Sequence, residues 1–235
     1  MPFRKDPKLS PSFDTLRQDT DSRQLIRKIQ KAIAVIGRRD AVELPESLYG
    51  VDGQLIDLKA LGWLPVGIVT PDGYSFPREV ESETIDALGY ASPVRSDTTK
   101  VPRQITFTPL EKGRRHMAEL TLGTDLTGTT QDPETGEIVF DEPDLPVGEE
   151  YRLLVIGSDG PASENWVLGK GYGSVKLNAG GSETWGQEGA VSSEITLDVF
   201  TDDEIGTPVR HYMGGTGALK HKDLLGFTGT PASGA

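Results

Sequence analysis

The chain contains no cysteine. That excludes disulfides, thiolate nucleophiles and cysteine-bound metals, and it fits assembly in a reducing cytoplasm. Histidine is scarce: only His116, His211 and His221 are present, and none stands in a His-Glu-x-x-His arrangement. A zinc site would therefore need His and carboxylates gathered from distant segments. No apolar run approaches the roughly 20 residues that span a bilayer. The start, Met1-Pro2-Phe3-Arg4-Lys5, is basic but leads into no apolar stretch of the secretory kind. Gly169-Lys170-Gly171-Tyr172-Gly173 has neither phosphate-loop spacing nor a following helix, and reads as a glycine-rich hairpin at a strand end. No serine occupies a G-x-S-x-G elbow. The acidic stretches 132–137 and 202–204 lack the pattern of a calcium loop and read as solvated turns. No catalytic, cofactor-binding or metal residue is expected, and no cofactor.

What the chain does have is glycine and proline, 28 and 16 of them, spread over 235 residues. Many short elements joined by tight turns would use them that way, which points to a mainly β architecture. The length suits one domain with appendages. Formal net charge is −12. Residues 1–40 carry ten Lys/Arg against five Asp/Glu, about +5, which leaves about −17 for the rest. An acidic body disfavours wrapping DNA on its surface, because phosphate contacts need Lys and Arg. It does not disfavour enclosing a channel through which DNA slides.

Residues 1–18 read as an extended or disordered basic arm. Residues 19–40 read as an amphipathic helix. Asp19, Thr20, Asp21 and Ser22 are cap candidates, and Leu25, Ile29, Ala32, Ile33 and Ile36 recur at helical spacing. A β-rich domain is expected over 41–225 and a flexible tail over 226–235. Within the domain, Pro71-Asp72-Gly73 has the chemistry of a turn and predicts a hairpin over 62–76. Glu79, Glu81 and Glu83 alternate at period two, which puts three carboxylates about 7 Å apart on one strand face. A glycosidase would need such a pair across a cleft, which alternation alone does not supply. Residues 103–110 form a strand with Ile105 and Phe107 on one face, ending at Pro109 or lying at an edge. Residues 111–122 suggest a short helix, with Met117 and Leu120 facing the sheet and Gly123 as its stop. Residues 124–148 are acidic and turn-rich, a long loop with a single strand candidate at Ile138-Val139-Phe140. Residues 151–157 suit a strand buried on both faces. Residues 166–168, 175–177, 195–199 and 209–213 complete roughly eight to ten strands and two helices, a sandwich or barrel.

Residues 61–123 read LGWLPVGIVTPDGYSFPREVESETIDALGYASPVRSDTTKVPRQITFTPLEKGRRHMAELTLG. This block resembles the core of the major tail tube proteins of long-tailed siphophages, especially those of actinobacterial hosts. The matching pieces are Leu61-Gly62, Asp72-Gly73-Tyr74, the Glu-bearing stretch 79–83, residues 85–88, Val94-Arg95, the strand Ile105-Thr106-Phe107 running to Leu110-Glu111, and the helix end at Leu120 and Gly123. Residues 152–160, 171–177, 180–185 and 191–199 are similar to the family's second half. Pro109 stands where the family has another apolar residue, and residues 1–40 lie outside the pattern.

The resemblance implies a tail-tube-type β-sandwich or barrel flanked by a short helix. It further implies rings of six copies, and rings stacked into the tube that conducts DNA from capsid to host cell. Implied partners are the chain itself, a tape measure protein, a tail terminator and tail-tip proteins, with DNA passing without tight binding and no membrane. The implied location is the virion tail, assembled in the host cytoplasm. Glu79, Glu81 and Glu83 are then candidates for the lumen or for a contact between subunits. Residues 124–148 are a candidate contact to the next ring, with the basic residues 1–40 docking on an acidic neighbour. Two other readings remain open: a single-ring phage protein (terminator, connector or minor tail protein), and a sugar-binding or sugar-processing β-sandwich. The last would need Trp63, Trp166 and Trp185 exposed together, whereas at least two are expected in the core or an interface.

Overall fold

The computed structural model describes residues 12–183, 185–187 and 190–227. The first element of the described residues is helix α1, Phe13–Thr20, where the Ser12 hydroxyl accepts the Thr15 N–H at 3.2 Å as an N-cap. A 3-10 turn at Arg23–Leu25 leads into strand β1, Lys31–Arg38. The rest of the expected arm (residues 1–11), and all but two residues of the expected tail, lie outside the described residues.

Here two expectations are corrected. Residues 13–18 are helical, and residues 31–38 are strand where a helix was expected. The spacing of Leu25, Ile29, Ala32, Ile33 and Ile36 fits one helix stripe, but Ala34, Val35 and Ile36 are consecutive and all buried. A helix stripe leaves one side of such a run in water, whereas a strand packed on both faces buries it all.

Strand order follows from pairing. Short β2 (Leu64–Pro65) pairs β1, and β3 (Val69–Ser75) pairs β6 (Gln104–Pro109). Between them in sequence, β4 (Glu81–Ile85) and β5 (Arg95–Lys100) form a separate two-stranded sheet. Helix α2, Arg115–Leu122, precedes β7 (Tyr151–Asp159), β8 (Trp166–Gly180), β9 (Ile195–Phe200) and β10 (Arg210–Gly214). Two short helices, α3 (Thr216–Lys220) and α4 (Lys222–Leu225), follow. The main sheet is antiparallel throughout, in the order β2-β1-β7-β8-β9-β6-β3. Along one edge of the 15-residue β8, the first part pairs β10 and the last part β9.

The two ends of that order are one continuous segment. Val66 donates to the Ala34 carbonyl at 2.9 Å, and Leu110 to the Ile68 carbonyl at 2.8 Å. Residues 64–75 thus cross from β1 to β6, and the sheet closes on itself as a barrel. The expected 62–76 hairpin is therefore absent. Pro71-Asp72-Gly73 lies inside β3 as a bulge, where the register to β6 shifts between Val69 and Tyr74 and Gly73 takes φ +72°.

The crossing turns at Gly67, with φ +94°. The Glu111 carboxylate accepts the Ile68 N–H at 2.8 Å, and a Cβ on Gly67 would fall 2.6 Å from its Cδ. Both backbone strain and this clash oppose a side chain. Gly67→Ala is expected to cost about 2 kcal/mol, read as a lower urea midpoint at unchanged m-value; an unchanged midpoint would show that the crossing is loose.

The barrel has an inner core and an outer layer. Alternation along β7 sends Leu153 and Val155 inward, beside Ile36, Ile105, Phe107 and Leu197. Leu154 and Ile156 point outward, under Leu44, Leu48 and Trp63. Helix α2 closes the inner core with Met117 and Leu120, stops at the left-handed Gly123, and is tied to β2 by the His116 Nε2–Pro65 carbonyl bond at 2.8 Å. The strands expected at 103–110, 151–157 and 195–199 are present, with Pro109 the last residue of β6.

Gly169, Gly171 and Gly173 do not form a hairpin end; they sit within β8, which merges two expected strands into one. Their reason is packing. A Cβ at 171 would fall 2.7 Å from Leu44 Cδ1, and at 173 2.5 Å from Asp202 Cβ. Three alternate glycines let the outer layer lie directly on the strand. Ile138-Val139-Phe140 is not a strand: residues 124–148 carry turns only, and these three side chains are exposed.

Candidate assembly surfaces

Strands β4 and β5 form an arm whose side chains are all exposed. A bridge between Arg78 and Arg103, a Glu79 N–H to Pro102 carbonyl bond (3.1 Å) and a Gln104 N–H to Pro77 carbonyl bond (3.1 Å) join it to the barrel. The Val94 N–H donates to the Ile85 carbonyl at 2.9 Å and closes the ladder below the tip. Leu88 is fully exposed and Tyr90 is 71% exposed, with Ile85 and Val94 about half exposed beside them. A two-stranded hairpin with no further packing is marginal in water, and its apolar tip held in solvent makes it a candidate contact surface.

Of the three glutamates, Glu81 and Glu83 lie on β4 and Glu79 on the lead-in. Glu81 is 3.9 Å from Lys100. Glu83 stands opposite Asp97, which Arg95 holds at 2.6 Å, and has no ion pair among the described residues.

The structure divides the other positions marked by the sequence. Ile105 and Phe107 are inner core. Leu110, Glu111 and Gly123 are joints of the barrel and of α2; the Ile68 N–H and then Arg114 hold the Glu111 carboxyl below its ordinary value. Val94 and Arg95 belong to the arm. Asp72 and Gly73 form the β3 bulge, and Tyr74 turns inward with its ring centroid 5.7 Å from that of Phe107. The Tyr74 hydroxyl is buried without a partner among the described residues, and burial pushes its pKa up to about 12.

Tyr74 opens onto a groove of about 1050 Å³ at one mouth of the barrel. Val69, Tyr74, Phe76, Val155, Leu168 and Met213 are among the residues of its apolar wall. Into it reaches Lys170, whose ammonium lies 3.9 Å from the Phe76 ring centre. Burial pushes the Lys170 pKa down, and no carboxylate among the described residues pairs with it. The free edges of β3 and β10 border the same groove. Sequence reasoning missed this site; its one signal was a lysine flanked by glycines, Gly169-Lys170-Gly171.

A second missed feature is ionic. Asp202 is wholly buried, not a solvated turn. It accepts from Arg39 Nε (3.1 Å), Arg152 Nη2 (3.5 Å) and the backbone N–H of Glu204 and Ile205. Burial alone would raise its pKa, but those two N–H groups and the two guanidinium charges outweigh it and hold the carboxyl below its ordinary value. Arg152, 2% exposed, also donates to the Val42 carbonyl at 2.7 Å and pairs with Glu204. The signal was an arginine inside the apolar run 151–157.

The remaining polar features are local. Asp132 accepts the N–H of Glu134 and Thr135 as a turn residue. His221 bonds Glu164 at 2.7 Å and stacks on Trp166, whereas His211 is exposed. No group of three or more His, Asp or Glu among the described residues is arranged to hold a metal ion. Trp63 and Trp166 are buried and only Trp185 is exposed, so the grouped aromatics of a sugar platform are not formed by the three tryptophans. No described helix is long and apolar enough to cross a membrane.

No family model matches the chain, and no curated protein matches it either. Among solved structures, the tube-terminating cap of the anti-feeding prophage, determined by cryo-electron microscopy, shows a distant likeness. It has a TM-score of 0.40 at 9% identity, covering 83% of this chain and 97% of that one.

Proposed function

We propose that this chain is a self-associating structural subunit of a long-tailed bacteriophage tail, in its most specific form the tube subunit, six copies to a ring with rings stacked around a DNA channel. The observation that carries the reading is the β4–β5 arm, a hairpin with an apolar tip that packs on no other element among the described residues. The arm is also the middle of the 61–123 block that resembles tail tube subunits. Among the described residues its strands keep both outer edges unpaired, and such edges pair readily with another chain. A net charge of −12 suits a wall past which DNA slides without sticking. On this reading the tape measure, terminator and tip proteins meet the finished tube.

Sedimentation velocity of the full chain, dilute and then concentrated, tests it. The expected result is a shift from about 25.4 kDa to hexamers and larger species with rising concentration. A monomer at every concentration would overturn the self-association. A species that stops at one ring would move the reading to a terminator or connector.

A further inference from the structure

Resting on that self-association, we propose that the arm tip of one copy seats in the barrel mouth of another, with Asp86 facing Lys170. The two surfaces complement each other in two ways. The tip offers exposed apolar side chains, Leu88 and Tyr90 foremost, and the mouth is an open apolar groove continuous with the inner core. Charge is opposite: residues 81–90 carry Glu81, Glu83 and Asp86 and no Lys or Arg, whereas Lys31 and Lys170 line the mouth against Asp72 alone. Asp86 sits among the apolar tip residues as Lys170 sits among the apolar wall, so each charge would find its counterion as both lose water.

Reach is sufficient, since the extended residues 79–85 carry the tip roughly 20 Å from the barrel. Arm and mouth are different surfaces of one chain, so every copy offers both. The contact is heterologous and generates a closed ring or an open stack, not an isolated dimer.

The absence of cysteine makes the test clean. Full-length Asp86→Cys and Lys170→Cys chains are mixed and treated with a short bis-maleimide. A covalent pair of the two variants is expected, and none when Asp86→Cys is mixed with Val51→Cys, a fully exposed control position. In parallel, Asp86→Lys and Lys170→Glu should each weaken association about tenfold, and the two changes combined in one chain should restore it to within about threefold of the unaltered protein. Association that persists with equal cross-linking at positions 170 and 51, or with no recovery in the swapped chain, would overturn the arm-in-mouth contact and leave self-association standing. An unaltered chain that never associates would overturn both.

Discussion

Replacing Asp202 by Ala is expected to destabilise the folded chain by about 3 kcal/mol. The carboxylate is wholly buried and is the point where Arg39, Arg152 and the turn 202–205 meet. Its loss strands the Arg152 guanidinium, 2% exposed, with the Val42 and Gly173 carbonyls and the exposed Glu204 as its remaining partners. A buried charge that loses its counterion costs more than the pair contributed when intact. The surviving partners keep the cost at the low end of the usual range. Two backbone N–H groups in the turn lose their acceptor as well, so the turn should loosen over Gly173. Urea unfolding followed by tryptophan fluorescence reads the effect, and Trp63 in the outer layer reports on it directly. A loss below about 1 kcal/mol would show that the network is dispensable.

The same network sets an acid limit. Asp202 and Glu150 are both held below their ordinary pKa values, Glu150 chiefly by Lys176, with Arg39 and Ser174 adding to it against burial. For a carboxylate depressed by folding, the contribution to stability is present above its unfolded value and is lost as pH falls through the folded one. Stability of the unaltered chain should therefore fall below about pH 4, and Asp202→Ala should flatten that fall.

Trimming the arm is expected to do the opposite: a large effect on assembly and almost none on the fold. The Glu79 N–H already bonds the Pro102 carbonyl, so residues 80–101 can be replaced by a short Gly-Ser turn without pulling on the barrel. The inner core contains no residue of the arm. The shortened chain should unfold within about 1 kcal/mol of the intact one and stay monomeric. The single change Leu88→Asp should act the same way more gently. Burying one leucine is worth about 1.5–3 kcal/mol, so each contact should weaken roughly ten- to hundredfold. A shortened chain that still assembles would place the contacts elsewhere, for instance on the exposed Ile138, Val139 and Phe140 of the acidic loop.

The parts that were legible in the sequence share one property: a local pattern that agrees with the packing. Ile105 and Phe107 alternate because β6 has one half-buried polar face and one dry face, and Gly123 ends α2 because glycine takes φ +60° there without strain. Residues 151–157 read as a doubly buried strand, and they are one. The failures occur where a long-range partner overrides the local pattern. Residues 31–38 fit a helix until β7 is placed beside them. The glycines of β8 look like a turn until Leu44, Tyr212 and Asp202 are seen resting on them. The arm was half legible: the alternation of Glu81 and Glu83 predicted a strand, but not that nothing would cover it. The barrel mouth was not legible, because Tyr74, Phe76, Val155 and Lys170 come from distant segments and only the closed sheet brings them together.

Negative-stain electron microscopy of the purified chain, dilute and then concentrated, tests the central claim most directly. The account predicts hollow rings that stack into tubes as concentration rises and that vanish in the shortened-arm chain. Featureless monomers from the intact chain at every concentration would contradict it.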